Sequence, residues 1–88
     1  MYNVVFSKSA KKDLKRVNSI YLVSVSSHIK QLSVDPRPFG CKKLEGYENK
    51  YRIRVGVYRV LYTIKGEILT VEVVKIRHRS SVYKGIAN

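Results

Sequence analysis

Acidic side chains are scarce in this chain. Six Asp and Glu stand against eighteen Lys and Arg, for a formal net charge of +12. So few acids cannot pair the basic residues internally. A polyanion partner is expected: nucleic acid, an acidic protein or an anionic membrane surface. The membrane fits least, because the charges are spread over several segments and do not form one amphipathic stretch. Cysteine is also nearly absent. Cys41 alone excludes an intrachain disulfide, and with only His28 and His78 beside it no zinc site can be assembled. No metal or cofactor is expected. Long apolar runs are missing too, and none approaches the ~20 residues that span a bilayer. The opening MYNVVFSKSAKK has an apolar run too short for a secretory signal, and its basic residues follow that run. The expectation is a soluble cytoplasmic protein. With 88 residues and 44% hydrophobic content, the chain predicts one folded domain over 1–88 with a modest core.

Both prolines, Pro36 and Pro38, fall in one segment, which leaves the rest of the chain open to regular structure. YNVVF at 2–6 is β-branched and aromatic and reads as a strand. Ser7 or Ser9 can cap a helix whose apolar residues Ala10, Leu14 and Val17 share one face. Asn18-Ser19 breaks that pattern and can cap a second helix, with Leu22, Val25, Ile29 and Leu32 inward. The VSVSS stretch within it also alternates like a strand. DPRP at 35–38 ends the helix. Residues 36–49 read as a long loop, one with a role of its own or pinned by Phe39 and Leu44. Strands follow at 50–55 and 58–64 around a Gly56-Val57 turn, then a turn at 65–67 and a central strand at 68–76. RHRSSVYKGIAN closes the chain as a short tail or helical turn. The fold class is α+β: a strand, a helical hairpin, then a three-stranded antiparallel meander, in one mostly antiparallel sheet with helices on one face.

Strand alternation puts Tyr51, Ile53 and Val55 on one face with Tyr58, Val60, Tyr62 and Ile64. Arg52, Arg54 and Arg59 then fall together on the opposite, exposed face. Guanidiniums gathered in this way suit an entering anion, and their planar fork matches phosphate oxygens. Arg77, His78, Arg79 and Tyr83 follow the last strand, where they could reach the same face. Histidine titrates near neutral pH. Tyrosine can stack on a base.

The pattern KKLEG, YRIRVGVYRVLYTI and VEVVKIRHRSSVY resembles the RelE-type toxins of the RelE/ParE toxin–antitoxin superfamily over essentially the whole chain. The resemblance implies a ribosome-dependent mRNA interferase. It would enter the A site of the 30S subunit and promote attack of an mRNA 2′-hydroxyl on the adjacent phosphate. The product is a 2′,3′-cyclic phosphate, formed without metal. By position, Arg52 and Arg54 match the family's paired basic residues, and Arg59 matches its phosphate clamp. Arg79 and Tyr83 match its C-terminal arginine and stacking tyrosine. Lys42, Lys43, Lys50, Arg77 and Lys84 are expected to add RNA contacts around them.

One departure bears on mechanism. Some members carry lysine in the first hairpin strand, with a general-base role, whereas both positions here are arginine. Arginine is a poor base, so either the base lies elsewhere, with His78 the first choice, or the reaction rests mostly on orientation and electrostatics. Val57 also departs from the acid found at this turn in many members, with no functional consequence drawn. The resemblance implies a cognate antitoxin, acidic and folding on binding. It is expected to cover the arginine face, displace the SSVYKGIAN tail, or both. Two alternatives stand beside the interferase: a ParE-like DNA gyrase poison, and a non-catalytic basic module binding RNA or the ribosome.

Overall fold

The computed structural model describes residues 1–82. The chain begins with β1 (Asn3–Phe6), which pairs in parallel with a later strand, from Asn3 opposite Thr70 to Phe6 opposite Val73. Ser7 ends β1 and caps α1 (Lys8–Lys15). Its hydroxyl accepts from the Ala10 N–H at 3.0 Å and donates to the Val74 carbonyl at 2.9 Å. The cap thus ties the helix start to the sheet as well as satisfying an orphan N–H. Lys12 and Lys15 fall in the last turn, where the helix dipole favours positive charge.

Asn18 caps α2 (Ser19–Gln31) by accepting from the Ile20 N–H at 3.0 Å. The strand-like alternation in VSVSS is overridden by this cap and by the burial of Val25, Ile29 and Leu32 at helical spacing. Leu22, expected inward, is instead exposed. Tyr21 takes its place, meeting the Tyr58 ring edge-on at 5.7 Å between centroids. The inward stripe starts one residue earlier than the leucine suggests.

The 36–49 segment is more ordered than a loop. Within it β2 (Lys42–Lys43) pairs antiparallel with β3 (Lys50–Val55). Leu44 is buried as expected, but Phe39 is fully exposed and anchors nothing. The anchor at that end is the Pro36 carbonyl, which accepts from the Tyr62 hydroxyl at 2.7 Å. Burial holds the Tyr62 phenol above the usual tyrosine range, so it remains a donor.

β3 joins β4 (Tyr58–Lys65) through Gly56-Val57, as expected. Gly56 has φ +59°, and a Cβ there would lie 3.0 Å from Cε1 of Tyr21. Gly56→Ala is therefore expected to lower unfolding free energy by about 1–2 kcal/mol through the left-handed backbone penalty alone. A urea titration measures this, and unchanged stability would contradict the packing described. A 3₁₀ turn (Gly66–Ile68) and Leu69 at φ 46° lead into β5 (Thr70–His78). That strand starts and ends two residues later than the sequence pattern suggests. α3 (Arg79–Val82) follows at once, and its Arg79 N–H donates to the Val57 carbonyl at 2.7 Å.

The sheet order is β1-β5-β4-β3-β2, with only β1 and β5 parallel. The α+β reading holds, with β2 as an additional edge strand. The core lies between the helices and one sheet face, where Val25, Val60, Tyr62, Val71 and Val73 are wholly buried. No helix among the described residues is long and apolar enough to cross a membrane.

Candidate functional site

The face away from the core is built by an irregularity in β5. Leu61 stands opposite Lys75, yet its neighbour Tyr62 stands opposite Val73, which leaves Val74 as an extra residue. A bulge of this kind resets the alternation of side chains. Val71 and Val73 point into the core before it, and Ile76 does so after it. Lys75 and Arg77 consequently turn to the other face. An unbulged β5 would send Arg77 into the core and Ile76 out of it.

Register then aligns the charges. Arg54, Arg59 and Arg77 are cross-strand neighbours and form one row over β3, β4 and β5. Lys42, Arg52, Leu61 and Lys75 form the next row, and Lys50 lies beyond it opposite Thr63. Lys50 Nζ donates to Thr63 Oγ1 at 3.3 Å. Arg52, Arg54 and Arg59 thus share a face as expected, and Lys42, Lys50 and Arg77 join them on it. Lys43 does not: it stands opposite Tyr51 and belongs to the other face. Lys75 was not anticipated. A cleft of about 330 Å³ opens beyond β3, bounded by Arg52, Arg54, Lys42, His28 and Phe39.

Arg59 corrects an expectation. Strand alternation predicts it exposed, yet it is 7% exposed. β4 is the middle strand, so Arg59 is flanked on both sides by the long side chains of Arg54 and Arg77. Its Nε and that of Arg52 are shielded from water. Like charges directly opposite one another destabilise a sheet. One acid offsets part of this: Asp13 on α1 is 6% exposed and accepts from Arg77 Nη1 at 2.9 Å.

His78 is placed apart from the row. It stands opposite Tyr58, on the face shared with Val60 and Tyr62, and packs edge-on against the Tyr58 ring at 5.5 Å. Its Nδ1 accepts from the Ser80 N–H at 3.2 Å, which occupies the lone pair a base would use. In the neutral ring the proton then sits on Nε2. The role expected for His78 finds no support in this placement. Arg79 is exposed at the start of α3, two residues beyond Arg77. Tyr83 and Lys84 lie outside the described residues. Among the described residues no three His, Cys, Asp or Glu side chains gather as a metal site.

Asp13 and the strand phase of Arg77 were missed in the sequence. The Val73-Val74 doublet in VEVVKIR was the available signal, because it interrupts an otherwise regular alternation.

Comparison with known proteins places the chain among toxins. Residues 4–83 match the family described as the ParE toxin of the type II toxin–antitoxin system parDE. The chain is 34% identical over 84 residues to Toxin RelE3 of Methanocaldococcus jannaschii, covering 91% of this chain and 93% of that protein. It is similar to the RelBE2 toxin–antitoxin complex from Mycobacterium tuberculosis, with 31% identity and a TM-score of 0.77 over 89% of this chain and 98% of that chain. It is similar also to the RelB–RelE antitoxin–toxin complex from Methanococcus jannaschii, at 30% identity and a TM-score of 0.77 over 94% of this chain and 99% of that chain.

Proposed function

The chain belongs to the RelE/ParE family of type II toxin–antitoxin toxins, and we propose that it is a ribosome-dependent mRNA interferase acting in the cytoplasm. The observation that carries the reading is the Arg54–Arg59–Arg77 row. When a 2′-hydroxyl attacks its adjacent phosphate, negative charge grows on the non-bridging oxygens. Guanidiniums already fixed by a sheet stabilise that charge without reorganising. Arg59 would grip the phosphate from beneath, with Arg54 and Arg77 on either side. Arg52, Lys42 and Lys75 would hold the neighbouring backbone, with Arg79 at the start of α3 as a further cation, while the parts of Tyr83 and Lys84 rest on the family resemblance alone.

None of the arginines can take the proton of the attacking hydroxyl. The row works through orientation and charge: as the 2′-oxygen bonds to phosphorus its proton passes to solvent, the P–O5′ bond breaks, and the departing 5′-oxygen takes a proton from solvent. His78→Ala is accordingly expected to cleave at near the parent rate at every pH. A large loss of cleavage in a folded His78→Ala protein would return His78 to the reaction.

A cognate antitoxin fits the same surface. An acidic segment that folds on binding would neutralise the row and exclude RNA. The two similar solved structures from Mycobacterium tuberculosis and Methanococcus jannaschii are themselves toxin–antitoxin complexes. The gyrase-poison reading keeps a claim because the matched family is described by its ParE toxin. Product chemistry separates the two. RNA fragments ending in 2′,3′-cyclic phosphate support cleavage. Intact mRNA together with altered plasmid supercoiling supports gyrase.

A further inference from the structure

β5 has an open edge beyond the end of β1. β1 pairs with it only as far as Val73, and α1 occupies the edge thereafter. Two side chains of this connection bracket the bulge. On the near side, the Ser7 hydroxyl donates to the carbonyl of Val74, the extra residue. On the far side, Asp13 Oδ2 accepts from the Ile76 N–H at 3.0 Å, a backbone donor with no strand beside it. The other oxygen of the same carboxylate accepts from Arg77 Nη1 at 2.9 Å. One buried carboxylate therefore fixes both the backbone just past the bulge and the guanidinium that the bulge delivers.

We infer that Asp13 is a positioning residue for the anion site: it holds the Arg77 fork in place at the end of the Arg54–Arg59–Arg77 row. The inference deepens the proposed function and rests on that reading for the identity of the anion. The physical case is one of preorganisation. An arginine carries several rotatable bonds, and its stabilisation of a developing charge falls if it must be ordered during the reaction. Arg77 also faces the repulsion of Arg59 beside it. Without a counter-charge it would swing outward into water. Asp13 supplies that counter-charge from the side away from Arg59. One Arg77 nitrogen is used in this contact, which leaves the rest of the fork for phosphate.

The test is a double-mutant cycle with Asp13→Asn and Arg77→Ala. Asparagine keeps an oxygen for the Ile76 N–H and replaces the oxygen that accepts from Arg77 with an uncharged NH2 donor, so it removes both the charge and the acceptor for the fork. Thermal midpoints identify any variant that fails to fold. Should Asp13→Asn be unstable, Asp13→Ser replaces it in the cycle and is read by the same outcomes. Ribosome-bound mRNA cleavage and affinity for a short single-stranded RNA are measured together. Asp13→Asn is expected to slow cleavage about tenfold, the loss of one charge-assisted contact, with kcat affected more than KM. In the Arg77→Ala background it should cost nothing further. A full tenfold loss in that background, or parent-like cleavage by Asp13→Asn alone, overturns the inference. If the parent protein leaves ribosomal mRNA intact, the cleavage reading fails by itself. The cycle is then decided on RNA affinity, where non-additive losses support the role of Asp13 and additive losses overturn it.

Discussion

Arg59→Ala is expected to slow mRNA cleavage by about 10²–10³-fold, the loss seen when one preorganised oxyanion donor is removed. Arg59 sits near the start of the middle strand β4, with Arg54 and Arg77 in register on either side. At 7% exposure Arg59 is buried in this face and does not wave in solvent. A phosphate reaching this face meets it already oriented. Substitution also removes a like charge from between two others, so repulsion within the row falls. The thermal midpoint should therefore move far less than the rate. Arg59→Lys should recover little, because an ammonium has no planar fork and is more strongly hydrated. Single-turnover cleavage of a programmed ribosome is the measurement. A parent-like rate in a folded Arg59→Ala protein would remove the row from the mechanism.

The second large effect is on stability. Tyr62→Ala is expected to lose about 3–5 kcal/mol, as large-to-small changes of buried aromatics do. Its side chain is wholly buried, and its ring stacks on Tyr51 at 6.1 Å between centroids. A chain of this size has only about 5–15 kcal/mol of stability to begin with, so much of the population would unfold. Tyr62→Phe separates the ring from the hydroxyl. It keeps the packing but leaves the Pro36 carbonyl without its donor, for a loss of about 1–3 kcal/mol. Chemical denaturation of both variants should rank them in this order. Equal losses would mean that the hydroxyl, not the ring, holds the segment after α2.

Much of this architecture could be read in the chain because local signals agreed with the global fold. The Ser7 and Asn18 caps, the Gly56-Val57 turn and the alternation over 50–55 and 58–64 each pointed to the element that forms. The remainder depended on contacts between distant residues. β2 is two residues long and exists only because β3 lies beside it. Arg59 looks exposed by alternation and is buried in the folded protein. Arg77 and His78 are adjacent in sequence, and which of them faces the row depends on one extra residue at Val74. Alternation read straight through VEVVKIRH gives the wrong face to everything after the doublet. Asp13 looked like one more charge on a lysine-rich helix. Its role appears only when α1 is laid along the open edge of β5.

The most direct test of the central claim is to translate a defined mRNA in a cell-free system and map its 5′ ends by primer extension. Parent protein and the Arg59→Ala variant are compared, with and without ribosomes. The account predicts cuts inside codons at the A site with the parent protein, none without ribosomes, and almost none with Arg59→Ala. Intact mRNA under translating conditions, or the same cuts made by both proteins, would contradict it.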